Sequence, residues 1–170
     1  QREFAGIEKF EPISRSHEGL VDILHVGRND REGYFYYVME LADDAQAPMR
    51  DTADALQHSD RSAPSLALNP DTFVPKTLTQ VLRARGRLRL EEGLHLSLLL
   101  ADALGYLHKR GLLHRDIKPS NIIFVEGIPK LADIGLVAGR TEARSFVGTE
   151  GFIPPEGPGT SQADLFSLGK

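Results

Sequence analysis

Between residues 114 and 133 the chain gathers groups that can move protons and hold cations. His114-Arg115-Asp116-Ile117-Lys118-Pro119-Ser120-Asn121 is followed, twelve residues after Asn121, by Asp133-Ile134-Gly135. A positioned carboxylate can take a proton from a hydroxyl. Carboxylate and amide oxygens are also the ligands a hard cation such as Mg²⁺ prefers. Taken singly these residues are ordinary turn formers; the complete ordered pattern is what sets the segment apart.

The first segment resembles the catalytic loop of protein kinases, H-R-D-x-x-x-x-N, and Asp133 stands where the aspartate of the D-F-G motif belongs. The resemblance implies phosphoryl transfer from ATP, a reaction that depends on an aligned nucleophile and neutralised phosphate oxygens more than on covalent help. It gives Asp116 the role of proton acceptor for the substrate hydroxyl, and Asn121 and Asp133 the role of Mg²⁺ ligands. Lys118 resembles the lysine that contacts the transferred phosphate. Lys-Pro-x-Asn is the serine/threonine form of this loop, so the implied partner is a protein with a Ser or Thr acceptor.

Further matches run in the family's order. Gly148-Thr149 and Pro154-Pro155-Glu156 resemble the end of the activation segment, with Pro154 in place of the usual Ala, and Asp164 resembles the aspartate that opens the next large helix. In the family Thr149 supports the catalytic carboxylate, Asp164 holds the catalytic-loop backbone, and Glu156 pairs with an arginine from a later helix. Thr141 and Ser145 are the activation-segment hydroxyls open to regulatory phosphorylation. Upstream, Tyr36-Tyr37-Val38-Met39-Glu40-Leu41-Ala42 resembles the last small-lobe strand entering the hinge. Met39 is then the gatekeeper, main-chain groups of Glu40 and Ala42 bond adenine, and Ile123 belongs to the nucleotide site.

The family's small-lobe helix carries a glutamate that pairs with an ATP-contacting lysine, and here Glu3 and Glu8 compete for that role. Glu3 is preferred, because Ile7 lies four residues after it, whereas Pro12 occupies the corresponding place after Glu8. An extra segment, Glu11 to Arg15, accounts for the resulting offset. On this register Ile7, Ile23, His114 and Ile134 form the apolar column that links the lobes, and His114 is a packing residue. Two departures stand out: Ile134 replaces the Phe of D-F-G, and no G-x-G-x-x-G loop or V-A-I-K lysine precedes the helix.

The elements that must position these groups follow from periodicity and punctuation. Arg2 to Phe10 has helical spacing and Pro12 is expected to end it. Leu20 to Val26 and Tyr34 to Leu41, separated by a polar turn, read as an antiparallel hairpin. From Asp43 to Phe73 the pattern dissolves into six Asp among Ala, Ser and Pro, which suggests a long mobile insertion. A short helix near Thr77 to Arg85 stops at Gly86. A long helix from about Glu91 to Lys109 carries Leu94, Leu98, Ala101, Leu104 and Leu107, with Leu96, Leu100 and Ala103 widening the face until the helix is expected to be largely buried.

The expected architecture is therefore α+β, a partial two-lobed protein-kinase-like fold. Residues 1–41 form the end of the small lobe, 42–74 a disordered hinge insertion, and 75–170 the first part of the large lobe.

Composition bounds the rest. The 170 residues are 41% hydrophobic with a net charge of −4, which gives no reason to expect nucleic acid or an acidic membrane as partner. The absence of Cys excludes disulfides, thiolate metal sites and a cysteine nucleophile. No membrane span or signal peptide is legible, so the expected compartment is cytoplasmic, or the cytoplasmic face of a membrane if an anchor lies elsewhere. The leading expectation is an ATP- and Mg²⁺-dependent serine/threonine kinase, most like bacterial members of the family. A pseudokinase serving as a binding or scaffold module is the alternative. A small-molecule phosphotransferase fits less well, because Arg115 and the Gly-Thr…Pro-Glu segment belong to the protein kinases.

Overall fold

The computed structural model describes residues 2–46, 71–133, 138–139 and 148–170. Three antiparallel strand pairs and four helices make up the described chain.

Helix α1 (Arg2–Ser14) buries Ile7 and Phe10. It runs past Pro12 instead of ending before it, which corrects the expected boundary. The tertiary bonds beyond the proline explain why. Ser14 Oγ donates to the Glu11 carbonyl at 2.8 Å and accepts the Ile23 amide at 3.1 Å, and the Arg15 guanidinium donates to the Ile23 carbonyl at 2.7 Å and 2.9 Å. These bonds offset the one helical hydrogen bond that proline removes.

Strands β1 (Ile23–Asn29) and β2 (Tyr34–Met39) form the expected hairpin. Residues 20–22 lie outside it, and this short linker joins the two halves of the molecule. Leu20 bridges Leu131, the Val21 amide donates to Leu131 O at 3.0 Å, and the Leu131 amide donates to Gly19 O at 2.9 Å. Gly19 must be glycine here: a Cβ would stand 2.9 Å from Ala103 Cβ and 3.3 Å from Leu99 O, so any side chain would push the linker off the long helix.

Helix α2 (Leu78–Arg85) has the boundaries its residues dictate. Thr77 Oγ1 accepts the Gln80 amide at 3.2 Å, and Gly86 at φ 77° closes the last turn onto Leu82 O. Helix α3 (Leu90–Lys109) buries Leu100, Ala103, Leu104 and Leu107 against Ile7, Phe10, Leu20, Leu78 and Leu131. Its other half departs from the expectation of near-complete burial: Leu90, Leu94 and Leu98 are exposed, Leu98 to 70%. The 3.6-residue repeat reports which positions share a face, whereas burial depends on a partner for that face.

After α3 come β3 (Leu112–Leu113), the strands β4 (Ile122–Val125) and β5 (Ile128–Leu131), β6 (Ala138–Gly139), and α4 (Ser161–Leu168). β3 pairs with β6 and β4 with β5. The β4–β5 turn uses Glu126 at φ 51° and Gly127 at φ 79°, the left-handed pair that a two-residue hairpin turn requires.

The expectation of one structureless insertion over 42–74 is corrected at both flanks. Ala42 is buried, the Asp43 amide donates to Phe124 O, Ala45 to Val74 O and Lys76 to Asp43 O, at 2.7 to 2.8 Å. Backbone groups that leave water beside the hinge must be paired, and these flanking stretches pair each other. Residues 47–70 lie outside the described part.

Candidate active site

The catalytic-loop segment leaves β3, turns at Arg115, and enters a single 3-10 turn at Pro119–Asn121. Arg115 has φ 73°, a left-handed conformation that costs a side-chain-bearing residue about 1–3 kcal/mol. Asp164, on the first turn of α4 and 1% exposed, holds it there. One carboxylate oxygen accepts the His114 amide at 2.9 Å and the His108 Nε2 at 2.8 Å; the other accepts the Arg115 amide at 2.7 Å. The sequence pointed to Asp164 as this support. It did not point to His108, which carries no motif of its own and reads as a core or surface residue until α3 and α4 meet.

Asp116 is buried, and four bonds surround it. Lys118 Nζ donates to Oδ2 at 2.7 Å, Thr149 Oγ1 donates to Oδ1 at 2.6 Å, and Asn121 Nδ2 reaches both Oδ2 and the Asp116 carbonyl at 2.9 Å. Burial pushes the Asp116 carboxyl up, but the bonds from Lys118, Thr149 and Asn121 together with the Lys118 charge outweigh it, and the group sits below the ordinary carboxylate value. Thr149 is brought to this place by Gly148. At φ 134°, a Cβ on Gly148 would lie 2.9 Å from Arg115 O.

The β4–β5 hairpin unites residues that the sequence separates by twelve positions. Ile122 is opposite Leu131, and the Ala132 amide donates to Asn121 O at 2.9 Å, so Asn121 and Asp133 flank the open end of one ladder. Asp133 is exposed and has φ 57°. Both hydrogens of the Asn121 amide point at Asp116, which turns Oδ1 the other way, where the Ser120 hydroxyl donates to it at 3.2 Å. A pinned amide oxygen and an exposed carboxylate are a fitting partial ligand set for Mg²⁺, which completes its octahedron with waters and substrate phosphates.

His114 is fully buried, and its Nε2 donates to Ala132 O at 3.2 Å. Burial holds the imidazole below its ordinary pKa, against the opposing fields of Asp164, Asp116 and Asp133, so the ring is neutral. That suits packing. Ile7 and Ile23 are fully buried as well; Ile134, Thr141 and Ser145 lie outside the described residues.

At the hinge, Met39 ends β2 opposite Ile23 and is partly exposed, Ala42 is buried, and Ile123 is buried on β4. The Glu40 amide already donates to Asp22 O at 3.0 Å, so of its two main-chain groups the carbonyl is the one it can offer a base. The Glu3 side chain lies outside the described part, and Glu8 is exposed. Glu156 is also exposed. Sequence reasoning missed the Glu40 and Asp43 carboxylates and Lys130; their partners are 18 to 90 positions away.

Residues 55–170 match the family model described as the protein kinase domain. The chain belongs to that family. An Arabidopsis thaliana protein named 3-phosphoinositide-dependent protein kinase 1 is 38% identical over 104 residues, which take in 50% of this chain and 21% of that protein. The serine/threonine-protein kinase AfsK of Streptomyces coelicolor is 33% identical over 108 residues, 57% of this chain and 14% of its own length. The Aurora kinase of Schizosaccharomyces pombe is 38% identical over 99 residues, 54% of this chain and 28% of its own length. The chain thus spans less than a third of each of these relatives.

Proposed function

We propose that this chain supplies the proton acceptor and the metal-binding end of an ATP- and Mg²⁺-dependent protein serine/threonine kinase. The observation that carries the reading is Asp116: a buried carboxylate held ionised by Lys118, Thr149 and Asn121, on a loop whose strained backbone Asp164 fixes. A module that only binds has no need of a carboxylate organised in this way.

In this reading the substrate hydroxyl donates to Asp116, which orients it and takes its proton as the oxygen attacks. Lys118, already beside that carboxylate, sets positive charge where the transferred phosphoryl group passes. Asn121 and Asp133 hold the cation; when bound, Mg²⁺ neutralises phosphate oxygens and aligns them. Glu40, Ala42, Met39 and Ile123 bind the base, and Glu3 holds the lysine that reaches the phosphates. Transfer goes to a Ser or Thr of a protein. Among the described residues no helix is long and apolar enough to cross a membrane. The compartment we propose, on the kinase reading, is the cytoplasm or the cytoplasmic face of a membrane.

The test is transfer of labelled phosphate from ATP to a generic Ser/Thr substrate by the protein carrying this chain, with and without Mg²⁺. Phosphoserine or phosphothreonine formed only with the cation is the expected result. Nucleotide binding with no transfer under any condition would favour the non-catalytic alternative.

A further inference from the structure

The β4–β5 hairpin bears Asn121 and Asp133 at its open end, and two polar anchors tie it to the hinge, one on β5 and one at its turn. At one, Glu40 Oε1 accepts Lys130 Nζ at 2.6 Å and the Asp22 amide at 2.8 Å, with the two side chains only 18% and 10% exposed. Lys130 lies on β5, three residues before Asp133, which follows the strand's end at Leu131. At the other, the Asp43 carboxylate accepts the Glu126 and Gly127 amides at 2.8 and 2.9 Å, one per oxygen, while the Asp43 amide donates to Phe124 O at 2.7 Å. The anchored residues lie on either side of Leu41 and Ala42.

A nucleotide bound as proposed above has its base against the main chain of Glu40 and Ala42 and its phosphates at Asn121 and Asp133. It therefore spans from the hinge to the open end of the hairpin that these anchors hold against it. Charge-assisted bonds of this length, largely withdrawn from water, are strong and geometrically demanding. They are also costly to leave half made, since a buried lysine without its carboxylate must shed its charge or open a path to water.

We propose that Glu40–Lys130 and Asp43 are positioning groups that fix the separation of the base-binding hinge from the metal-binding hairpin end, so that base and metal favour each other's binding. This rests on the kinase reading and adds a coupling which that reading does not require. In this reading only the main chain of Glu40 meets the base, and the anchoring side chains act through the backbone they hold. Their removal should spare the affinity for each end alone and weaken the advantage of engaging both.

The experiment measures, in the protein carrying this chain, the dissociation constants of adenosine, of ATP with Mg²⁺ chelated, and of ATP with Mg²⁺. The ratio of the two ATP values is the coupling. Lys130→Met is expected to lower that ratio about tenfold, the size of a typical interaction between linked groups, and to raise the KM for ATP while adenosine binds within about twofold of wild type and kcat changes less than KM. Lys130→Arg should restore the ratio. Asp43→Asn, which keeps one acceptor oxygen, provides a second reading at the opposite anchor should Lys130→Met fail to fold, and is expected to lower the ratio in the same direction. A fall in melting temperature with the ratio unchanged in both variants would overturn the proposal and leave an ion pair that only stabilises the fold. Wild-type protein that binds ATP no better with Mg²⁺ than without it would overturn the kinase reading itself, a result visible before any variant is made.

Discussion

Asp116 and Asp133 are both acidic residues of the same site, and the protein treats them in opposite ways. Asp116 is buried, with both carboxylate oxygens engaged by side chains from three places in the chain. Asp133 is exposed at the end of a strand, its backbone held at φ 57°. A proton acceptor must be aimed before its substrate arrives, because the geometry of proton transfer is unforgiving. A metal ligand can be left in water, since the cation itself organises its oxygens and brings much of its own shell. Fixed organisation is concentrated on the group that no ligand will organise.

The largest effect that would break this comparison is expected from Asp116→Asn. Phosphoryl transfer should fall by about 10²- to 10⁴-fold, the range for removing a general base, with the dissociation constant of MgATP nearly unchanged. Steady-state rates beside direct nucleotide titration test it; turnover within tenfold of wild type would remove Asp116 from the chemistry.

Asp133→Asn should act through the cation instead. The Mg²⁺ concentration that supports half-maximal binding of ATP should rise by about tenfold or more, because one ligand charge is lost where oxygen anions are preferred. An unchanged Mg²⁺ titration would show that the exposed carboxylate is not a ligand.

Thr149→Val sharpens the contrast more gently. It deletes the 2.6 Å bond to Asp116 Oδ1 while keeping the side chain's shape. That bond is one of those holding the carboxyl below its ordinary value, so its loss moves the pKa upward toward what burial alone would give. The acidic limb of the kcat profile should therefore shift to higher pH, with kcat at neutral pH lowered by about tenfold, as for one hydrogen bond to a charged group. The same profile in mutant and parent would mean that Thr149 only packs.

The smallest effect is a stability change, at His114→Phe. The folded imidazole stays neutral below its ordinary pKa of 6.5, whereas the unfolded chain takes up a proton there. The contribution of His114 is thus present above pH 6.5 and is lost as pH falls through the lowered folded value. Denaturant melts between pH 7.5 and 5 should show a shallower decline in the variant, and an identical slope would mean that the buried ring does not carry that dependence.

Much of this was legible in the residues themselves. Thr77 and Gly86 fix the ends of α2 through their own side chain and backbone freedom, and the aromatic run Tyr34 to Tyr37 followed by Val38 favours a strand. Asp116, Lys118 and Asn121 lie within six positions, so their pattern survives in one dimension. Local chemistry can write such features because their partners are a few residues away.

Tertiary structure decided the rest. Pro12 was a reliable stop signal until Ser14 and Arg15 found bonds on β1; the exposed leucines of α3 share their period with the buried ones; and Asp43, which reads as the first residue of a polar insertion, is the clamp of the β4–β5 turn. Glu40 and Lys130 lie 90 positions apart and form one of the closest ion pairs in the described chain. A sequence determines which groups are available and what each does nearby. Which of them meet across the fold depends on how helices and strands bury their apolar faces, and that free energy belongs to the whole packed chain and not to any short stretch of it.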